Sequence, residues 1–213
     1  MWGKVSKLVS ILFHPVFALF SGLLILSLVP TEPMLNLQDS VFHYAARDKK
    51  NLFILFGTFT VLFPITSILT LYSTKAIKSL ELKERKERIL PAVLVMVIHG
   101  VLYYFLRKSN VPLPLMSSLI GVVIGFALFL IINLFYKISL HGIGAGIIFG
   151  FVFSYYKLQA EFSLIPLLVI TFLIGVVGWA RVHQKAHTLS QYFLGVVLGI
   201  VTQMVCIILE IKF

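Results

Sequence analysis

The sequence predicts an all-α bundle of transmembrane helices with six or seven spans, and three observations predict it. Hydrophobic residues make up 59% of the chain and charged residues only 12%. The mean hydropathy is +1.01. The apolar residues also gather in long runs separated by short basic stretches. Soluble domains carry about 25% charged residues, so these proportions exclude an ordinary water-soluble fold. A bilayer core about 30 Å thick is crossed by about 20 apolar residues of helix. A membrane barrel would instead show roughly ten-residue segments of alternating polarity, and these runs are continuous.

Taken in order, the runs are Leu8 to Val29, Leu52 to Tyr72, Pro91 to Leu106, Leu115 to Tyr136, Gly142 to Tyr156, Phe162 to Trp179 and Leu189 to Ile211. The third and fifth are short for a crossing. Each is either extended by flanking polar residues or partly re-entrant, which sets the count at seven or six. The first run follows Lys4 and Lys7 in the manner of a signal peptide, but it is long and lacks a small-x-small cleavage site before Pro30. It reads as an uncleaved anchor. No repeat, low-complexity tract or long linker divides the chain, so residues 1–213 are expected to form one transmembrane domain. Cys206 stands alone inside the last run and gives neither a disulfide framework nor a cysteine-rich metal site.

The positions of the few polar residues carry the functional information. Loops between spans alternate sides, so on a seven-span count the segments Ser73 to Leu90, Lys137 to His141 and Ala180 to Thr188 share one face. Arg88, Arg85 and Arg181 bring guanidinium forks suited to phosphate oxygens, and Ser139 brings a hydroxyl. His141 and His187 suit a nucleophile and a general acid, since neutral imidazole is a good nucleophile near neutral pH. The residue types suit phosphoryl transfer, and composition alone goes no further than an anion-handling site, for which a lipid headgroup is one candidate ligand.

Each residue also has a plainer role. Lys and Arg beside apolar runs commonly anchor helix ends at the headgroups. A lone interfacial histidine is more often a hydrogen-bonded packing residue, which is the expectation for His14, His43 and His99. His183 and His187 stand one turn apart, yet no His-Glu-x-x-His motif or third ligand accompanies them. Gly142, Gly146 and Gly150, with Gly195 and Gly199, repeat every four residues and are expected to let helices approach closely.

The pattern resembles the type 2 phosphatidic acid phosphatase superfamily of membrane lipid phosphatases. That family's third motif is Ser-Arg, five residues, His, three residues, Asp. Here Ala180-Arg181 is followed at that spacing by His187 and then Gln191. Its second motif, Pro-Ser-Gly-His, is matched by Ile138-Ser139-Leu140-His141 in the Ser and His alone. Its first motif, Lys, six residues, Arg-Pro, is represented by Arg88, with Glu81 in the place of the Lys and Pro91 displaced by two. Motif order is kept, and His141 and His187 are far enough apart for two intervening helices.

The resemblance implies a divergent bacterial lipid phosphate phosphatase. His187 would attack phosphorus to give a phosphohistidine, His141 would protonate the leaving oxygen, and Gln191 would stand in for the carboxylate that orients the nucleophile. Arg88, Arg85, Arg181 and Ser139 would hold the phosphate. No metal or other cofactor is implied. The expected partners are a phospholipid or isoprenoid phosphate substrate and the bilayer itself, with no nucleic acid. A lipid-phosphate binder or carrier, or a phosphotransferase on the same scaffold, fits the same residues. The positive-inside rule alone turns the basic loops toward the cytoplasm, but phosphate-binding arginines are basic for their own reason and setting them aside nearly levels the two sides. The resemblance implies a site at the outer face of the cytoplasmic membrane.

Overall fold

A computed structural model describes residues 2–34, 40–82, 84–109 and 111–211. The helices are α1 (Trp2–Leu12), α2 (Ala18–Leu28), α3 (Ala46–Phe56), α4 (Phe63–Ser73), α5 (Ile89–Leu106), α6 (Leu113–Phe135), α7 (Leu140–Lys157), α8 (Ile165–His183) and α9 (Leu189–Ile208). A 3₁₀ turn at Pro15–Phe17 joins α1 to α2, and a π-helical segment at Gly57–Leu62 joins α3 to α4. The all-α bundle read from the sequence is therefore the architecture observed.

Local chemistry accounts for both irregular joints. Pro15 lacks an N–H, so the helix of the first run breaks there, and His14 caps the new turn by accepting the Val16 N–H at 3.3 Å. Pro64 follows the π segment. Its ring would crowd the carbonyl one turn earlier in a regular helix, and the wider π turn relieves that clash.

Among the described residues, six helical rods are long and apolar enough to cross a bilayer: Trp2–Leu28, Ala46–Ser73, Lys86–Leu106, Leu113–Phe135, Ile165–His183 and Leu189–Ile208. The short third run is lengthened by the polar turn Lys86–Arg88, as one of the sequence alternatives required. The sixth begins later than Phe162, because Gln159–Phe162 is strand β2, paired antiparallel with β1 (Thr31–Pro33). That pairing bears on α7. One end of α7 stands beside α9, where the Ser139 N–H donates to the Gln191 carbonyl at 3.1 Å, and its other end leads into β2 at the far end of the bundle. Thus α7 traverses the bundle, and seven rods cross it. Gly144, Gly146 and Gly150 put α7 among its most buried helices, whereas Leu168 and Phe172 of α8 and Phe135 of α6 are exposed to lipid.

The α7–α9 interface rests on the predicted glycines. A Cβ on Gly146 would come within 2.1 Å of the Val196 carbonyl oxygen, and one on Gly199 within 2.3 Å of the Ile143 oxygen. The four-residue repeat therefore serves an internal helix pair, with backbones packed nearly against each other.

Candidate active site

The three basic segments converge at one end of the bundle. The Arg85 guanidinium donates to the Leu134 carbonyl at 3.1 Å, Arg88 donates to the Ile138 carbonyl at 3.0 Å, and Ser139 is tied to Gln191 through the backbone. Beneath them opens a cavity of about 610 Å³. Its upper wall carries Lys7, Arg88, His141, Arg181 and His187, and its lower wall is apolar except for Thr60 and His99.

Arg88 is 4% exposed and spends Nε on the Leu82 carbonyl at 2.8 Å. Arg181 donates from one terminal nitrogen to the Ser10 hydroxyl at 3.3 Å and the Gln184 side-chain oxygen at 3.1 Å, while its buried Nε has no partner among the described residues. The two side-chain ion pairs among the described residues, His43 with Glu32 and Lys78 with Glu84, involve neither arginine. Glu81 acts electrostatically on Arg181 and Glu87 on Arg88, offsetting part of their charge; with Lys7 also on the wall, the pocket keeps an excess of cations that an anion would complete. Glu81, standing where the first motif has Lys, also lines the cavity.

His187 is 8% exposed and lies in the turn before α9. Thr188 caps α9, and Gln191 closes a reciprocal capping box. The Gln191 side-chain oxygen accepts the Thr188 N–H at 3.2 Å and stands 3.2 Å from Nδ1 of His187. A backbone N–H can only donate, so it fixes which end of the amide faces it. Nδ1 of His187 then donates to the same oxygen, and Nε2 is the unprotonated nitrogen. Burial, followed by the charges of Arg88 and Arg181 and, more weakly, Lys137, lowers the His187 pKa to about 3 against the small opposing effect of the Gln191 bond. The imidazole is neutral throughout the physiological range. Lys137 is shifted down in the same way, by burial and then by Arg88 and Arg181.

His141 is the second residue of α7, two residues after Ser139, which caps the helix by accepting the Gly142 N–H at 3.3 Å. Its Nε2 donates to the Ser10 carbonyl at 3.0 Å, leaving Nδ1 as the nitrogen open to proton exchange. His14 stands edge-on to it, ring centres 5.4 Å apart.

Of the residues expected from the sequence, His141, His187, Arg88 and Arg181 line one cavity, and Gln191 lies behind His187. Ser139 is fully buried as a helix cap and is not part of the cavity wall. Arg85 is exposed and holds the end of α6 instead, since Asn133 also donates to its carbonyl at 2.9 Å. His183 stacks on Trp179, away from the cavity.

Sequence reading found the first apolar run but missed the part α1 plays in the site. Ser6 and Ser10 are buried, and the Gln184 amide donates to the Ser6 carbonyl at 2.6 Å and to the Ser10 hydroxyl at 2.9 Å. His14, expected only to pack, lines the cavity. The signal was present as the four-residue spacing of Ser6, Ser10 and His14 along an apolar helix.

Residues 133–212 match the sequence model of the PAP2 superfamily. The match holds the second and third motifs and runs through α7, α8 and α9, and it bears out the resemblance to the type 2 phosphatidic acid phosphatases. No curated protein and no solved structure matches the chain.

Proposed function

With residues 133–212 carrying the PAP2 superfamily pattern, we propose that this protein is a metal-independent phosphatase of membrane lipid phosphates working through a phosphohistidine on His187. The observation that carries the reading is the state of His187: neutral, with Nδ1 held by Gln191 and Nε2 free, in a cavity walled by Arg88 and Arg181.

The chemistry follows from these atoms. The Nε2 lone pair forms a bond to phosphorus as the bond from phosphorus to the lipid oxygen breaks. The leaving oxygen takes a proton from Nδ1 of His141, whose doubly protonated form is favoured once the negative charge of the bound phosphate stands beside it, while its Nε2–H stays on the Ser10 carbonyl. Arg88 and Arg181 hold the non-bridging oxygens, where the electrostatic demand of phosphoryl transfer lies. Neutral His141 then accepts a proton from water as that water attacks phosphorus. The phosphorus–nitrogen bond breaks, inorganic phosphate leaves, and both histidines return to their starting states.

The apolar lower cavity supports a substrate with a hydrocarbon tail, a phospholipid or isoprenoid phosphate, either monoester or diphosphate. Since Lys7, Ser10 and Arg88 come from outside the matched segment, the whole chain acts as one catalytic unit in this reading. The site is proposed to open at the outer face of the cytoplasmic membrane.

The test is phosphate release from phosphatidate in detergent micelles containing a chelator. Wild-type protein is expected to release phosphate and to form an acid-labile, hydroxylamine-sensitive phosphoprotein. His187→Ala is expected to do neither. Full activity in His187→Ala would overturn the mechanism, and phosphatidate binding without turnover in the wild type would shift the reading to a lipid-phosphate binder.

A further inference from the structure

The cavity continues well below the basic cluster. Its α5 wall is formed by Arg88, Pro91, Ala92, Val95 and His99, spaced by three or four residues along one helix face. Eleven residues of helix separate Arg88 from His99, an axial distance of about 16 Å. His99 therefore lies about halfway through a hydrocarbon core about 30 Å thick.

At that depth the other walls are apolar, among them Ile65, Ile68, Val122 and Phe126. An ionisable side chain inside a membrane span is costly and commonly marks a ligand path. His99 is 5% exposed, and its Nδ1 lies 2.8 Å from the Val95 carbonyl. A carbonyl can only accept, so Nδ1 carries the proton and Nε2 presents a bare lone pair. Thr60, on the π segment, is 2% exposed and also lines the cavity, and its hydroxyl donates to the Phe56 carbonyl at 2.7 Å. Both groups have spent their donor on their own helix and keep an acceptor. Two buried acceptors in an apolar wall are complemented by a ligand that brings an O–H.

We propose that the lower cavity is a chain-reading subsite, selecting lipid phosphates whose hydrocarbon chain carries a hydroxyl near its middle. The hydroxyl donates its one hydrogen to Nε2 of His99, and Thr60 lines the same cavity. A plain methylene chain fills the same space but leaves the His99 acceptor unpaired, the kind of penalty that gives polar subsites their discrimination. The inference rests on the reading of the upper cavity as the phosphate site.

The experiment compares phosphatidates carrying stearoyl, 2-hydroxystearoyl or 10-hydroxystearoyl chains, measured on the full-length protein in micelles. A buried hydrogen bond of ordinary strength predicts that kcat/KM for the 10-hydroxy chain exceeds that for stearoyl by about tenfold, with no such advantage for the 2-hydroxy chain. In His99→Leu the ratio should fall to about one. Equal rates on all three lipids in the wild type, or a ratio that survives in His99→Leu, would overturn the subsite. Should no lipid be hydrolysed, the phosphatase reading fails. The dissociation constants of the same three lipids then decide the subsite, with the same ratio expected and equal affinities refuting it. That wild-type comparison stands even if the variant does not fold.

Discussion

Replacing Gln191 by Ala removes the one oxygen that both His187 Nδ1 and the Thr188 N–H reach, each at 3.2 Å. Loss of tautomer preference alone would cost about twofold, since half the imidazoles would still present Nε2. The larger effect comes when Nε2 becomes phosphorylated and the ring turns positive. A hydrogen bond to a charged group contributes about 1.5–3 kcal/mol, and each 1.36 kcal/mol is tenfold in rate. Gln191→Ala should therefore lower the phosphatase rate about 10- to 150-fold. The drop is smaller than the roughly 10⁴-fold loss of an Asp→Asn change in a serine-protease triad, because the glutamine has no charge to lose. Gln191→Glu keeps the acceptor and adds a charge, so it should retain or raise the rate. Gln191 also belongs to the helix cap, which makes Thr188→Ala the necessary control. That variant loses the cap hydroxyl but keeps the Thr188 N–H on Gln191. The assay is phosphate release from phosphatidate, alongside a thermal midpoint in detergent. An unchanged rate in folded Gln191→Ala, or an equal loss in Thr188→Ala, would refute the orienting role.

Other consequences follow from the same geometry. Gly146→Ala places a methyl 2.1 Å from the Val196 carbonyl oxygen and should lower the thermal midpoint sharply, whereas Gly100→Ala, with nothing within 4 Å, should leave it near wild type. His187 is depressed to about 3 from an ordinary value of 6.5, so the unfolded chain binds more protons between those values. Its contribution to stability is complete above pH 6.5 and is lost as pH falls toward about 3; acidification from pH 7 to 5 should destabilise His187→Ala less than wild type, as read by thermal midpoints. In sealed vesicles Lys86→Cys and Lys185→Cys should label from one side and Glu161→Cys from the other; labelling of Lys86→Cys and Lys185→Cys from opposite sides would break the shared site.

How much of this was legible in sequence depended on the range of the interaction. Helix identity is set by hydropathy over about 20 residues, so the spans stood out, and the glycine repeat announced a close helix contact because small residues at that spacing have little other use. The spacing from Arg181 to His187 to Gln191 lies within one turn and helix start, so it too was local. Arg85 and Ser139 went astray for a tertiary reason. Backbone carbonyls at the end of α6 and the buried Gly142 amide in the first turn of α7 needed partners, and these side chains serve them. The role of α1 was hidden because Ser10 acts partly through its backbone carbonyl, which no side-chain pattern reveals.

The site also explains why the chain tolerates two buried arginines so close to apolar helices. Removing a cation from water is costly unless hydrogen bonds and an opposite charge replace the lost solvation. Arg88 recovers part of that loss from the Leu82 and Ile138 carbonyls, and Arg181 from Ser10 and Gln184. Every one of those hydrogen-bond partners is neutral, and the carboxylates of Glu81 and Glu87 offset only part of the charge. The remaining positive potential is shared with His187, which responds by staying unprotonated. In the proposed mechanism one arrangement does two things: it holds a place for phosphate oxygens and keeps the neighbouring imidazole in the form able to attack. A bound phosphate would supply the missing negative charge and relieve the repulsion between the guanidinium groups, so ligand binding and stability of this end of the bundle are linked through the same two residues.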